Sequence, residues 1–245
     1  MLIMTIKKFS LILLSTVMFG ILVFEIQSSW TKFPEIKLNI EVGSKEDILI
    51  RESSIKNFLG PWGTFAYFTE WSNILFVVPF TLANVFNLQI KRSVKFVFMT
   101  YLTVTFFVFW GALAPFAPWG QSAALDFNLS YEHAIPFTVC ALWLYWTPSK
   151  EPIPYAFKEL LIFPTLYLIF ILIFTAAVKG EVAVYPFINF TDWFARGYGS
   201  AMSTALSTVV ILIICFVLIG TYMGLVKIYN LARIKKTKEI LKKII

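Results

Sequence analysis

The sequence is poor in the residues that soluble enzymes and metalloproteins depend on. It has one histidine and two cysteines, and only 14% of its 245 residues are charged. Because soluble domains carry roughly a quarter of charged residues, this chain cannot cover a globule with polar surface. A single histidine and scattered carboxylates show no metal-ligand spacing, and no glycine-rich phosphate loop is present, so we expect no metal and no other cofactor. Cys140 and Cys215 lie in apolar runs and are typical of small buried hydrophobes, not of a disulfide framework.

Hydrophobic residues are abundant instead, at 58% of the chain, and they form long runs. A helix that crosses the hydrocarbon core needs about 20 apolar residues, since each residue adds 1.5 Å. The pattern predicts an all-α integral membrane protein with one polytopic domain over residues 1–245. The six expected helices cover about residues 9–26, 64–86, 94–114, 131–147, 159–178 and 200–226. The first run could also be a signal peptide, but no small-residue cleavage site follows it, so we expect a retained helix.

The distribution of basic residues predicts the orientation of this six-helix bundle. Of the 21 lysines and arginines, 14 lie on the side of the two termini and 7 on the other side. The positive-inside rule therefore places both termini in the cytoplasm and makes 27–63 a polar outer loop. The membrane we expect is the bacterial plasma membrane. The net charge of +7 follows from this topology and does not indicate nucleic-acid binding.

The basic tail, residues 227–245, has apolar residues at helical spacing with lysines between them. This pattern is typical of an amphipathic helix that lies on the inner face and binds anionic lipid. A simple continuation of the sixth helix explains the same pattern, and both interpretations stay open. Membrane lipids are the expected partners in either case.

Polar residues concentrate on the predicted outer side, where they would line an outward-facing pocket. Polar groups in membrane-spanning runs are costly and tend to face the interior of a bundle. The second run and the mouth of the fourth carry most of them, and the segment before the sixth run adds two more. The candidate residues are Thr69, Glu70, Ser72, Asn73, Glu132, His133, Tyr185 and Asp192.

Thr69 and His133 are the pair with the clearest chemistry. A hydroxyl facing an imidazole is the minimum arrangement for acyl transfer, because the imidazole removes the proton from a weak nucleophile. Glu132 or Asp126 could orient the imidazole, as the third residue of a triad does. The structural alternative is that the hydroxyls bond to their own helix carbonyls, while Asn73 joins two helices. Glu70, a carboxylate inside an apolar run, could relay a proton or cation, or could pair with another side chain.

Short motifs in the same regions resemble a known family. Tyr67-Phe68-Thr69, Ser72-Asn73, His133-Ala134-Ile135-Pro136 and Tyr185-Pro186-Phe187 occur in this order. The set is similar to the bacterial "Pr-six-Pr" six-helix membrane proteins and, distantly, to the eukaryotic androgen-induced-gene family. That family consists of threonine-dependent hydrolases of branched fatty-acid esters. The resemblance implies Thr69 as the nucleophile and His133 as the base.

The chain departs from the family pattern at two positions. Ile188-Asn189 stands where the family commonly continues to an aspartate, and Glu132 stands where the family often has a histidine. The leading interpretation is a polytopic membrane protein that hydrolyses a lipid ester. The alternative is a non-enzymatic membrane protein, either a small-solute carrier that depends on Glu70 or a membrane assembly factor.

Overall fold

The computed structural model describes five main stretches, residues 2–31, 65–117, 123–147, 152–177 and 199–244. It also describes residues 59, 63, 119, 120, 184, 185, 188 and 190 of the connecting segments. This part of the chain is helical and contains no strand. Its six α-helices are α1 (Leu2–Thr31), α2 (Phe68–Val85), α3 (Arg92–Val108), α4 (Ala123–Trp146), α5 (Phe157–Ala177) and α6 (Gly199–Ile244).

Four of these helices are long and apolar enough to cross a membrane. The segments are Ile6–Gln27 of α1, Arg92–Gly111 in and just beyond α3, Phe157–Ala177 of α5 and Gly199–Ile234 of α6. Large apolar side chains on the outside of α5 and α6 are exposed, among them Ile162 and Phe216. Such surfaces are stable when lipid covers them, so the chain is a multi-pass membrane protein. The remaining helices, α2 and α4, carry six of the eight polar candidate residues.

Helix α3 lies at the centre of the bundle. It packs against α2, α4, α5 and α6, and every residue from Phe96 to Thr105 is buried. Two of its threonines satisfy their hydroxyls within the helix, since Thr100 donates to the carbonyl of Phe96 at 2.8 Å and Thr103 to that of Met99 at 2.6 Å. The helix is therefore compatible with burial on all sides, as its aromatic and aliphatic sequence predicts.

Prolines inside two helices create polar links to their neighbours. A proline has no N–H, so the carbonyl four residues earlier loses its partner within the helix. In α4, Pro136 frees the carbonyl of Glu132, which accepts a hydrogen bond of 3.1 Å from the Asn73 amide nitrogen on α2. In α5, Pro164 frees the carbonyl of Leu160, and the hydroxyl of Tyr101 on α3 donates to it at 2.6 Å. At these two prolines, the freed carbonyl is thus satisfied by a side chain from a neighbouring helix in the bundle.

The helix bounds differ from the prediction in several places, beginning with α1, which covers Leu2–Thr31 and not 9–26. Helix α4 begins at Ala123 and not near residue 131. Polar residues such as Asn128 and Ser130 do not break a helix, and Asp126, in the first turn, accepts the N–H of Gly120 at 2.9 Å. After α3 the chain forms a π turn (Phe109–Leu113) and a 3-10 turn (Ala114–Phe116). Helix α6 runs without interruption through the basic tail for 46 residues, about 69 Å at 1.5 Å per residue. The tail is therefore a continuation of α6, one of the two expected arrangements, whereas most of the loop 27–63 lies outside the described residues.

Candidate functional site

The structure brings Thr69 and His133 together at the junction of α2 and α4. Thr69 lies in the first turn of α2, and its Oγ1 is 3.5 Å from Nε2 of His133. Both side chains are half-buried. The separation is longer than the usual hydrogen bond of about 2.7–3.2 Å, and catalytic hydrogen bonds are often long in the absence of substrate. Thr69 Oγ1 and His133 Nε2 are close enough for direct proton transfer once the two side chains move slightly closer together.

The backbone fixes the tautomer of His133. Its Nδ1 lies 2.8 Å from the carbonyl oxygen of Leu129, one turn earlier in α4. A carbonyl can only accept, so Nδ1 carries the proton and the lone pair of Nε2 faces Thr69. The imidazole also stacks on the ring of Phe109, with centroids 3.7 Å apart and planes 16° apart. The expectation that Glu132 or Asp126 orients the imidazole is therefore wrong for Nδ1, which is bonded to a carbonyl of its own helix.

The hydroxyl groups of Thr69 and Ser72 have different environments. Ser72 donates to the carbonyl of Phe68 at 2.7 Å, so it follows the structural alternative. The corresponding carbonyl for Thr69 belongs to Phe65, and that oxygen accepts the indole N–H of Trp71 at 2.7 Å. Because Thr69 stands at the start of the helix, its hydroxyl is oriented toward α4 and not along its own helix.

Tyr185 holds the start of α2 in place. Its hydroxyl oxygen accepts the backbone N–H of Phe68 at 3.1 Å, and this N–H, in the first turn, has no acceptor within the helix. Burial raises the pKa of Tyr185 to about 12, so its hydroxyl stays neutral near neutral pH. Tyr185 therefore acts as a side-chain cap one residue before Thr69. The other candidate from this segment, Asp192, lies outside the described residues.

Three carboxylates converge beside this pair. Glu25 of α1, Glu70 of α2 and Glu132 of α4 have carboxylate oxygens within 4.8 Å of one another. Glu25 and Glu70 are each 6% exposed, and Glu132 is half-buried. Two ionised carboxylates at 4.8 Å repel by about 3 kcal/mol at an effective dielectric constant near 20. We call these three residues the carboxylate cluster; three full negative charges are unfavourable there without a proton or a cation.

Sequence reasoning missed several residues of the site. Glu25 is not among the predicted site residues, although, like Glu70, it is a carboxylate that adjoins a long apolar run. Phe109 has no sequence signal, because its contact with His133 depends on how α4 packs against the turn after α3. The carbonyl of Leu129 has none either, because every helical residue carries such a carbonyl and the rotamer of His133 selects it. Asn73, 1% exposed, joins α2 to α4 through its amide nitrogen, as the structural alternative for it predicts.

Comparisons with known proteins yield no relative of this chain: no family model, no curated protein and no solved structure matches it. The assignment of a function consequently depends on the geometry of the site and on the motif resemblance alone.

Proposed function

We propose that the chain is a membrane-embedded ester hydrolase in which Thr69 is the nucleophile and His133 is the general base. The observation that carries the proposal is the 3.5 Å approach of Thr69 Oγ1 to His133 Nε2, with Nδ1 bonded to the Leu129 carbonyl. In this tautomer the nitrogen nearest the hydroxyl is the one able to accept its proton. The motif resemblance to the androgen-induced-gene proteins implies the same two roles.

The proposed reaction has two half-reactions. Thr69 Oγ1 attacks the ester carbonyl carbon while His133 Nε2 takes the hydroxyl proton, and the alcohol leaves with that proton as the C–O bond breaks. Water then attacks the acyl-threonine and gives a proton to Nε2. The bond between the acyl carbon and Thr69 Oγ1 breaks, Nε2 returns the proton to Oγ1, and the acid is released. The N–H of Thr69 is in the first turn of α2, where helix N–H groups point toward the helix start. This N–H is the backbone donor that we assign to the oxyanion.

The surroundings of the pair favour a lipid ester over a polar substrate. The imidazole is covered on one face by Phe109, and this ring contacts Trp110 and Trp119, with centroid distances of 5.2 and 6.1 Å. Trp110 is 39% exposed, so the aromatic group reaches the surface of the bundle. Aromatic residues of this kind concentrate at the membrane interface, where an acyl chain can approach from the lipid side. Tyr185 would support the reaction indirectly by holding the start of α2.

Active-site labelling of the purified full-length protein tests the proposal. A fluorophosphonate probe is expected to label the wild type, and Thr69→Ala is expected to abolish the signal. His133→Ala should lower the labelling rate about 10²- to 10⁴-fold, the usual contribution of a general base. Thr69→Ser retains a hydroxyl and should retain labelling, which separates a nucleophile from a packing residue.

Thr138→Ala is the matched control for these variants. Thr138 lies on α4 as His133 does, but its side chain is exposed and its hydroxyl donates to the carbonyl of Ala134 at 3.0 Å. This variant should label like the wild type. Labelling that persists in both Thr69→Ala and His133→Ala would refute the hydrolase assignment.

We also propose that all six helices span the bacterial plasma membrane, with both termini cytoplasmic and the Thr69–His133 pair on the outer side. The excess of basic residues on the terminal side supports this orientation. Single cysteines at positions 121 and 150, in a background with Cys140 and Cys215 replaced by alanine, provide the test. Only the cysteine at 121 should react with an impermeant thiol reagent in intact cells; reaction of the cysteine at 150 alone would reverse the orientation.

A further inference from the structure

Asn73 is connected to two members of the carboxylate cluster, through its place on α2 near Glu70 and its hydrogen bond to the backbone of Glu132. Asn73 is 1% exposed and follows Glu70 by one turn on α2. Its amide nitrogen donates to the backbone carbonyl of Glu132 at 3.1 Å. The amide group therefore lies between the two residues that provide two of the three carboxylates.

The direction of the Asn73 amide is fixed by Pro136. Because Pro136 has no N–H, the Glu132 carbonyl needs an outside donor, and only the nitrogen end of the amide can supply it. The oxygen Oδ1 must then point the other way. It is buried, and no donor among the described residues lies within hydrogen-bond distance of it. A buried amide oxygen without a donor is rare in folded proteins, and a cation would satisfy it.

We propose that Glu25, Glu70 and Glu132, together with Oδ1 of Asn73, bind one divalent cation of the calcium type where α1, α2 and α4 meet. All four ligand atoms are oxygens, which hard cations prefer. Calcium binds oxygens at 2.3–2.6 Å, so ligands on opposite sides of the ion are about 4.6–5.2 Å apart. Carboxylate oxygens within 4.8 Å of one another fit this range without rearrangement. Magnesium requires about 4.0–4.2 Å across the ion and keeps several waters, so it fits a buried cluster less well.

The cation would stabilise the arrangement of three helices that are separated in sequence. It compensates the repulsion among the three carboxylates and links α1 to both α2 and α4. Glu70 follows Thr69 directly, and Glu132 directly precedes His133. An ion bound to both carboxylates therefore sets the position of the two helices that bear the Thr69–His133 pair. This role is structural and is independent of whether the pair hydrolyses an ester.

Metal content and thermal unfolding of the purified full-length protein in detergent test the proposal directly. The protein is stripped with a chelator, and calcium is returned and measured by equilibrium dialysis. We expect about one calcium bound per chain and a higher melting temperature at 1 mM calcium than in chelator. Absence of bound calcium at 1 mM, or a melting temperature that calcium does not change, would overturn the proposal.

Glutamine variants then locate the ion. Glu25→Gln, Glu70→Gln and Glu132→Gln each remove one carboxylate with little change of shape, and each should lower the calcium affinity about 100-fold or more. Because each also removes part of the repulsion, the stripped variants should melt at or above the temperature of the stripped wild type. That result separates loss of a ligand from misfolding.

Glu159→Gln is the matched control, since Glu159 is an exposed carboxylate at the start of α5, away from the cluster. It should bind calcium like the wild type. Calcium binding that survives in Glu25→Gln and Glu70→Gln would assign the ion to another place and refute this site. Equal stabilisation by magnesium and calcium would refute the assignment to a calcium-type ion.

Discussion

The proline gap in α5 permits a quantitative test of how this bundle is held together. Tyr101 on α3 is 2% exposed, and its hydroxyl donates to the carbonyl of Leu160 at 2.6 Å. Pro164 removes the N–H that would otherwise bond to this carbonyl. In Tyr101→Phe the carbonyl of Leu160, a fully buried residue, loses its best donor. Leaving a buried polar group unsatisfied costs about 1–3 kcal/mol, so we expect the free energy of unfolding to fall by about 2 kcal/mol.

Pro164→Ala makes this expectation specific. Alanine restores a backbone N–H, which can donate to the Leu160 carbonyl within α5. In that background Tyr101→Phe removes a hydrogen bond but leaves no unsatisfied carbonyl, so its cost should fall to about 1 kcal/mol or less. The difference between the two costs, about 1 kcal/mol, is the coupling energy between the two positions and corresponds to roughly a fivefold change in the unfolding equilibrium.

The measurement is a double-mutant cycle of four proteins, unfolded reversibly in mixed micelles and followed by circular dichroism. Tyr145→Phe serves as the control, because Tyr145 is 78% exposed and should change stability by less than about 0.5 kcal/mol. If Tyr101→Phe costs the same in the wild type and in Pro164→Ala, the proposed compensation of the proline gap is refuted.

Three further outcomes are expected. Tyr185→Phe removes the acceptor for the first N–H of α2 and should lower stability by about 0.5–2 kcal/mol in the same assay, as loss of a helix cap does; an unchanged stability would contradict its capping role. Phe109→Leu removes the ring stacked on His133, so it should slow fluorophosphonate labelling more than it lowers stability, and a wild-type labelling rate would argue against that positioning role. Cys140, 0% exposed, should react with maleimide only after unfolding, and prompt reaction in the folded protein would show that this part of the core opens.

Some positions of the site can be found from the sequence because their signals are local. Thr69, Ser72 and Asn73 follow each other at helical spacing, and His133 is the single histidine, so the residue pattern alone singles them out. The start of α4 at Ala123 has no such local signal in the sequence. A polar stretch before an apolar run is compatible with either a loop or a helix, and the apolar pattern alone marks only the part that faces lipid.

The chain's own sequence determined the class of protein. Long apolar runs and few charges leave no way to form a soluble surface, so helices in a membrane follow from composition and length alone. Only the tertiary structure decided which polar groups meet. Glu25 joins Glu70 and Glu132, and Thr69 meets His133, because helix packing brings together residues far apart in the chain. The rotation of each helix about its axis and its depth in the membrane are set by side chains on the neighbouring helices. They therefore cannot be predicted from a local sequence pattern.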